Sequence, residues 1–270
     1  MIRDGPLYPF RGLLIDTSRH YLSLDLLYQT INVMALNKLN VLHWHLTDSQ
    51  SWPYASQVFP ELTQGAYGPD LVYTIPNITD LIQYAALQGI RIVPEVDLPG
   101  HSQSLGISHP ELMCAQKQEP LDATKNIVYK FTQTLYKELV DVFPSDLVHV
   151  GGDEVRLDCY RNNSDIQTWL KRHNMTESGL WGHFERQVLS LVSETLDRRP
   201  VVWQEVFDAN ISLPSQTIVD VWKDWEPTSR TNATRRHDVV FSACWYLDHL
   251  DQDWWDLYKC NPRAFNGTRS

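Results

Sequence analysis

Strand-like and helix-like segments alternate along nearly the whole chain, and this alternation constrains the fold more than any other feature of the sequence. Continuous apolar strands separated by helices indicate a parallel sheet covered on both faces. The seven predicted strands span residues 12–18, 40–46, 89–97, 146–152, 199–205, 216–222 and 238–245. We therefore expect one α/β domain, because no low-complexity linker divides the chain.

Segments with apolar residues at helical spacing lie between most of these strands. The segment 77–89 begins at Asn77, a suitable N-cap, and ends at Gly89, a suitable C-cap. The other predicted helices span residues 24–39, 126–142, 165–172, 181–196 and 228–236. Crossover helices of this kind are what parallel strands require.

Acidic and aromatic residues follow the predicted strands directly, and the carboxyl ends of parallel strands form the ligand-binding face of such folds. These residues are Asp16, Asp48, Asp97, Asp153, Glu205, Trp222 and Trp245. Seven strand units favour a TIM (β/α)8-type barrel over a doubly wound sheet. The eighth strand/helix unit is expected where the sequence ends in FNGTRS, which predicts an incomplete barrel, either open or completed by further residues.

The charge of the chain excludes several kinds of partner. A net charge of −10 and a pI near 5.4 argue against nucleic acid and anionic membranes. No apolar run reaches the roughly 20 residues of a transmembrane helix, and the first residues lack the apolar core of a signal peptide. Together with the secretory features described next, the missing signal peptide leads us to expect that Met1 does not begin the complete natural protein.

Two features nevertheless indicate the secretory pathway. Six Asn-x-Ser/Thr sequons are candidate glycosylation sites: Asn77, Asn162, Asn174, Asn210, Asn232 and Asn266. Four cysteines allow three pairings. The pairs Cys114–Cys159 and Cys244–Cys260 are favoured because each flanks consecutive loop regions, and four buried free thiols are the alternative.

Four segments of this sequence together resemble the family 20 glycoside hydrolases, the β-N-acetylhexosaminidases, most closely the lysosomal β-hexosaminidase subunits of animals. They are FRGLLIDTSRHY, NVLHWHLTDSQSWPY, PEVDLPGH and HVGGDEV, and VVWQEVFD, DVWKDW and CWYLD extend the match. The resemblance implies a TIM barrel that acts on terminal β-linked N-acetylhexosamine. It also implies that residues 1–270 are a partial catalytic barrel, without the family's smaller N-terminal domain and without its last barrel segment.

The adjacent acids Asp153 and Glu154 raise the main chemical question. Most retaining glycosidases place an acid and a nucleophile on opposite sides of the scissile bond, which neighbouring residues do poorly. The resemblance implies substrate-assisted hydrolysis instead, with Glu154 as general acid and base and Asp153 holding the 2-acetamido group. Gly151 and Gly152 can relax the alternation of the strand, so that both acids face one pocket. A solvated acidic strand end is the alternative.

The resemblance assigns further roles to seven residues. It implies that Arg11 binds ring hydroxyls and that Asp48 and His101 form an Asp–His–Glu relay with Glu154. Trp203 and Trp222 would wall the sugar pocket, Tyr246 would donate to the acetamido carbonyl, and Asp248 would accept from outer hydroxyls. The structural alternatives are a surface ion pair for the arginine, a packing imidazole, and core packing for the tryptophans.

His43 and His45 allow a different reading, because an H-x-H pair on one strand ligates zinc in metal-dependent TIM-barrel hydrolases. That reading needs further histidines at later strand ends, where only His149 on the fourth strand is available. We therefore expect packing and hydrogen bonding from both residues, and no metal or organic cofactor.

Three hypotheses follow from the sequence. The first is an enzyme that releases terminal GlcNAc or GalNAc from a glycoconjugate or oligosaccharide, as a possible homo- or heterodimer in the lysosome or outside the cell. The second is a catalytically inactive truncated product that at most binds sugar. The zinc-dependent hydrolase is the third.

Overall fold

The computed structural model of the protein describes residues 5–116, 118–223, 236–248 and 250–261. Eleven strands are found in these residues, and seven of them form the main sheet. They are β1 (Gly12–Asp16), β2 (Val41–Thr47), β3 (Tyr54–Ala55), β4 (Tyr73–Thr74), β5 (Arg91–Val96), β6 (Met113–Ala115), β7 (Gln118–Leu121), β8 (Leu147–His149), β9 (Arg199–Trp203), β10 (Ile218–Val221) and β11 (Asp238–Phe241).

The helices cover the outer face of this sheet. They are α1 (Leu24–Leu36), α2 (Ile75–Leu87), α3 (Leu105–Ser108), α4 (Asn126–Val142), α5 (Asp158–Asn162), α6 (Ser164–Arg172), α7 (Glu177–Ser190), α8 (Gln204–Asp208) and α9 (Trp254–Lys259). A π-helical turn, Leu191–Thr195, extends α7. In the described part of the chain, no helix has the length and apolar character needed to span a membrane.

The main sheet has the strand order β1-β2-β5-β8-β9-β10-β11, and all neighbouring strands are parallel. Strands therefore follow one another in chain order, as in a (β/α)8 barrel and unlike in a doubly wound sheet. The sheet curls with helices around it into an incomplete TIM barrel, with β1 and β11 at its two edges among the described residues. The prediction of seven parallel strands and an incomplete barrel is confirmed.

Side chains inside the barrel form layers because alternate residues of a strand face the same side. The bottom layer is apolar and consists of Val41, Val93, Leu147, Val201 and Ile218, which form a cluster separate from the larger core under the helices. A second layer, two residues further along each strand, is made of polar and aromatic side chains. It contains His43, Glu95, His149, Trp203 and Asp220, all of them buried.

Several predicted boundaries are wrong by a few residues, for local reasons. Helix α2 begins at Ile75 because Thr74 is its N-cap, and the predicted cap Asn77 closes a capping box with it. Gly89 lies just beyond the helix with φ of 72°, which suits glycine at that position. The fifth predicted strand, which corresponds to β9, ends at Trp203 because the chain enters α8 there. The predicted helix over residues 228–236 falls almost wholly outside the described residues.

Both favoured cysteine pairings are confirmed. Cys114–Cys159 joins β6 to α5 across 45 residues, and Cys244–Cys260 joins residues 16 apart near α9. Among the sequons, Asn162, Asn174 and Asn210 are exposed, whereas Asn77 is partly buried and its Oδ1 accepts hydrogen bonds from Thr74. Asn232 and Asn266 lie outside the described residues, and glycosylation of all six stays a prediction.

Removal of the Cys114–Cys159 disulfide tests how strongly it constrains the chain. Replacing both cysteines by alanine should lower the free energy of unfolding by about 3–4 kcal/mol, because a 45-residue loop is no longer closed in the unfolded chain. Urea denaturation measures this change. The matched control is the double alanine variant at Cys244 and Cys260, whose shorter loop should cost less; an unchanged midpoint for the first variant would contradict the prediction.

Candidate active site

A buried carboxylate, Glu95 on β5, organises the interior of the barrel. Its oxygens lie 2.6 Å from His43 Nε2 and 2.8 Å from His45 Nδ1. They also lie 3.2 Å from His149 Nδ1, and Trp203 Nε1 donates to Oε1 at 2.8 Å. Burial opposes ionisation of Glu95, but the three imidazoles outweigh it and hold its pKa well below the usual range. Glu95 is therefore a carboxylate that joins four strands.

A second set of contacts leads from this carboxylate toward the mouth of the barrel. His45 Nε2 lies 2.7 Å from Asp48 Oδ2, and His101 Nδ1 lies 3.0 Å from Asp48 Oδ1. Burial would lower the pKa of His45, but Glu95 and Asp48 raise it well above the usual value. Burial likewise opposes ionisation of Asp48, yet hydrogen bonds from both imidazoles depress its pKa. Negative carboxylates and positive imidazoles therefore alternate along this chain of contacts.

Asp153 and Glu154 lie at the end of this chain of contacts. His101 Nε2 is 3.6 Å from Asp153 Oδ2 and 3.7 Å from Glu154 Oε2. The two neighbouring carboxylates therefore face the same imidazole, and the structure brings together all three members of the predicted Asp48–His101–Glu154 relay. They differ in exposure, since 14% of the Asp153 side chain and 51% of the Glu154 side chain reach solvent.

Backbone geometry explains how adjacent residues come to share one side. In residues 151–154, called the acid loop here, φ is 71° at Gly151, 92° at Gly152 and 48° at Glu154. A Cβ at Gly151 would lie 1.8 Å from Asp97 Oδ1, and one at Gly152 would lie 2.5 Å from Val206 Cγ2. Only glycine fits at these two positions, and the left-handed turn ends the alternation of the strand.

Asp97 lies directly beneath the acid loop. Its Oδ1 accepts a hydrogen bond from the backbone N–H of Gly152 at 2.8 Å, and its side chain contacts that of Asp153. Burial, Asp153 and Glu95 raise the pKa of Asp97 well above its usual value. The protonated form of Asp97 is therefore favoured in this position.

Aromatic residues line the barrel next to these acids. The rings of Trp203 and Trp222 have centroids 6.3 Å apart, and those of Trp222 and Tyr246 are 5.6 Å apart at 88°. Trp222 Nε1 donates to Glu205 Oε2 at 3.0 Å. Burial raises the pKa of Tyr246, and so do the nearby acids Asp248, Glu154 and Asp153. The structure thus brings both tryptophans and Tyr246 to the acid loop, with Asp248 exposed at the rim.

Arg11 and Trp245 are not brought to this group. Arg11 precedes β1, and its guanidinium donates to the backbone carbonyls of Lys38 and Tyr8, at the edge of the sheet opposite the acid loop. Trp245 follows β11 but turns outward, where Nε1 donates to the carbonyl of Leu257. A strand places only its carboxyl end at the ligand-binding face, so a residue at its amino end lies far from that face.

Arg19 is a further residue of this site, and it was not among the residues predicted from the sequence. It follows β1 and contacts Asp48 Oδ2 at 2.7 Å, Asp16 Oδ2 at 2.9 Å and His45 Nε2 at 3.1 Å. An arginine three residues after a strand-end aspartate is a signal for a local ion pair, and Asp16 does form one. The tertiary contact with Asp48 depends on the neighbouring strand, which the local sequence does not reveal.

The histidine cluster is wider than the sequence indicated. His149 stacks on His43 with ring centroids 4.5 Å apart, and ligand atoms of His43, Glu95 and His149 lie within 4.8 Å of one another. Burial lowers the pKa of His149 in spite of Glu95. His149 Nδ1 accepts a hydrogen bond from the backbone N–H of Gly151 at 3.1 Å. His43 Nε2 is hydrogen-bonded to Glu95 and His45 Nε2 to Asp48, so the expected hydrogen bonding of His43 and His45 is confirmed.

Replacing Glu95 by glutamine tests its central position. The amide keeps the shape of the side chain but removes the charge that balances the buried imidazoles, so we expect a loss of about 3–5 kcal/mol in the free energy of unfolding. Chemical denaturation at pH 6 measures it. Glu61→Gln, a change at a partly exposed acid outside the barrel, is the control, and equal midpoints for the two variants would disprove a structural role for Glu95.

Comparison with known proteins places this arrangement in a family. The family model described as glycosyl hydrolase family 20, catalytic domain, matches residues 8–269. The human beta-hexosaminidase subunit beta is 42% identical over 284 residues, covering 99% of this chain and 51% of the human protein. The mouse beta-hexosaminidase subunit alpha is 40% identical, covering 99% of this chain and 54% of the mouse protein. The chain thus spans about half the length of these curated relatives.

Solved structures agree with the sequence relatives. A chitobiase from Flavobacterium johnsoniae has a TM-score of 0.82 at 29% identity, covering 90% of this chain and 39% of that one. A Vibrio harveyi exo beta-N-acetylglucosaminidase in complex with N-acetylglucosamine has a TM-score of 0.79 at 28% identity, covering 88% and 42%. The incomplete barrel, with its acid loop and aromatic residues, therefore belongs to glycosyl hydrolase family 20.

Proposed function

We propose that the protein hydrolyses terminal β-linked N-acetylhexosamine at the acid loop by a retaining, substrate-assisted mechanism. The observation that carries the proposal is the convergence of Asp153 and Glu154 on His101, beside Trp203, Trp222 and Tyr246. The relatives named above include a hexosaminidase and an enzyme with bound N-acetylglucosamine, which supports this substrate class. The substrate is a glycoconjugate or oligosaccharide, and the reaction needs no cofactor.

Glu154 is proposed as the general acid and base. In the first step the 2-acetamido oxygen attacks the anomeric carbon, the glycosidic bond breaks, and Glu154 gives its proton to the leaving oxygen. In the second step Glu154 takes a proton from water, which opens the oxazolinium ring and returns the sugar with its original configuration. Its 51% exposed side chain suits a group that must meet both the leaving group and incoming water.

Asp153 is proposed to hold the acetamido group. It lies deeper than Glu154, since 14% of its side chain reaches solvent, and it contacts Asp97. An ionised Asp153 accepts the amide N–H and offsets the positive charge that develops on the oxazolinium ring.

His101 is proposed to tune the acid. Burial opposes protonation of this imidazole, but the hydrogen bond to Asp48 and the charges of Asp153 and Asp48 raise its pKa. A cationic His101 stabilises the carboxylate that Glu154 becomes after it has given up its proton. Arg19, bound to Asp48 from the solvent side, helps to keep that aspartate ionised.

The aromatic residues are proposed to shape the pocket. Trp203 and Trp222 enclose the sugar ring and the acetamido methyl group, Tyr246 donates to the acetamido carbonyl oxygen, and Asp248 accepts from an outer hydroxyl. Arg11 stays a predicted ligand of ring hydroxyls, and its position opposite the acid loop argues against that role in this chain.

A catalytically inactive protein that binds sugar is the second candidate. It is favoured by the open edges of the sheet at β1 and β11 in the described residues. Residues 1–270 as a partial catalytic barrel, dimer formation, and a lysosomal or extracellular location are further proposals, supported by the beta-hexosaminidase relatives.

Substitution of Glu154 tests the proposed acid. Glu154→Gln should lower kcat on a chromogenic β-GlcNAc substrate by about 10²–10⁴-fold, because the amide cannot deliver the proton. Steady-state kinetics measure the change, and Asp158→Asn, at an exposed acid after the same loop, is the control. Full activity of Glu154→Gln would exclude this residue as the acid.

Two further measurements on the same proteins separate the other hypotheses. An N-acetylhexosamine-derived thiazoline that raises the midpoint of thermal unfolding, in a protein without turnover, identifies the inactive sugar-binding protein. Loss of activity after treatment with a chelator, restored by zinc, would favour the zinc-dependent hydrolase instead.

Substitution of Tyr246 tests whether the acetamido group takes part in the reaction. Tyr246→Phe should lower kcat by about 100-fold and change KM much less, because the hydroxyl acts on the attacking oxygen in the transition state. Kinetics on substrates with and without the N-acetyl group measure the effect. A rise in KM with unchanged kcat, or equal turnover of both substrates, would contradict substrate assistance.

A further inference from the structure

A glutamate on α7 lies buried against the acid loop and takes no part in the proposed reaction. Glu185 is fully buried, and a Cβ at Gly152 would lie 3.1 Å from its Oε1. Carboxyl groups are almost never completely buried unless they are paired or hydrogen-bonded. The position of Glu185 directly behind the acid loop therefore calls for a physical explanation.

The hydrogen bonds of Glu185 are incomplete. Trp181 Nε1 donates to Oε1 at 2.9 Å, and buried Oε2 receives no hydrogen bond from the described residues. The hydroxyls of Tyr136 and Tyr160 are close, but they donate to the carbonyls of Val96 and Leu121 at 2.8 and 2.6 Å. One donor is too few to stabilise a buried carboxylate, whereas a neutral carboxyl group needs less.

The charges around Glu185 also disfavour ionisation. The titratable groups that face it are Asp153 in the acid loop, Tyr136 on α4 and Tyr160 on α5, and none of them can carry a positive charge. Burial and, to a smaller extent, Asp153 raise the pKa of Glu185 to about 8, although the bond from Trp181 opposes this. Glu185 is thus a neutral acid up to mildly alkaline pH.

We propose that Glu185 is a positioning residue, whose protonated carboxyl group supports the acid loop from behind and whose ionisation releases that loop. The proposal deepens the proposed function, since it makes the placement of Asp153 and Glu154 depend on a third acid that touches no substrate.

Among the groups around Glu185, the acid loop is the one that we expect to move. Gly151, Gly152 and Glu154 have left-handed backbone conformations; Gly151 lies against Asp97, and Gly152 lies against Glu185 and Val206. Residues in such conformations persist only when their surroundings fix them. An ionised Glu185 needs water to hydrate its charge, and its Oε1 already lies close enough to Gly152 that a Cβ there would be 3.1 Å away. Hydration of the carboxylate therefore displaces the loop and both of its acids.

The direction in which pH changes the stability of the protein follows from the raised pKa of Glu185. The pKa of Glu185 is higher in the folded protein than in the unfolded chain, where it has the ordinary value near 4.5. The folded state therefore binds this proton more tightly, and the resulting stability is fully present below about pH 4.5. It is lost as the pH rises through about 8. Glu185 consequently favours an acidic working environment.

Thermal unfolding as a function of pH tests the proposal without reference to activity. Glu185→Gln mimics the neutral acid, so its Tm should exceed that of the wild type by about 5 °C more at pH 8.5 than at pH 5. Glu194→Gln, at an exposed acid on the turn after α7, is the control and should show no such dependence. A constant Tm difference for Glu185→Gln across this range would overturn the proposal.

Kinetics test the link to the acid loop and depend on the proposed function. Because all variants keep Glu154, the ratio of kcat for Glu185→Gln to kcat for the wild type cancels the titration of the acid itself. This ratio should rise about fourfold between pH 5 and pH 8.5, as expected for a single group with pKa near 8. A ratio independent of pH, with the expected Tm behaviour, would show that Glu185 stabilises the fold but does not position the acids.

Outcomes that involve inactivity or misfolding are also decisive. If every protein is inactive, the proposed function fails, while the Tm comparison still judges the state of Glu185. Glu185→Met, which introduces a neutral side chain of similar length, is a second variant for the case in which the amide of Glu185→Gln prevents folding. If neither neutral variant folds at pH 5, where Glu185 should already be neutral, the proposal is overturned.

Discussion

The interior of this barrel depends on one buried carboxylate, which is in contact with several nitrogen-bearing side chains. Glu95 receives three imidazoles and an indole from three neighbouring strands, above an apolar layer that excludes water. Leaving such a charge unpaired would cost far more than any single packing contact contributes. The site of Glu95 therefore fixes where His45, Asp48 and His101 stand, and through them where the acids of the loop after β8 must meet an imidazole.

The acids at the mouth are arranged by depth. Asp97 lies beneath the acid loop and has a raised pKa, Asp153 is the less exposed acid of the loop, and Glu154 extends furthest into solvent. Neighbouring carboxyl groups in a site of low polarity cannot all be charged, so each proton retained by one acid permits a charge on the next. Two glycines are the condition for this arrangement, because any side chain there would overlap with Asp97 or Val206.

Much of the fold and of the site could be predicted from the sequence, because both depend on the order of the strands along the chain. Seven strands with polar residues at their carboxyl ends predicted the sheet and its ligand-binding face. The grouping of Asp48, His101 and Glu154 was implied by the resemblance to the family. The role of Arg11 stays a prediction, because the match to the family identifies a residue type but not its contacts, and here the guanidinium donates to the carbonyls of Lys38 and Tyr8. Glu185 could not be found at all, since an acid on an amphipathic helix normally faces solvent, and only the packing of α7 against Gly152 shows otherwise.

Neutral acids on both sides of the acid loop connect the fold to the conditions in which it works. Asp97 and Glu185 approach Gly151 and Gly152 from opposite sides, and burial raises the pKa of each. A loop between two carboxylates would face repulsion from both sides as well as from its own two acids. A loop between two neutral carboxyl groups avoids both of these repulsions. Because burial raises the pKa of Glu185 to about 8, repulsion from this side chain begins only as the pH rises through that value, and the arrangement of the loop persists at neutral as well as at acidic pH.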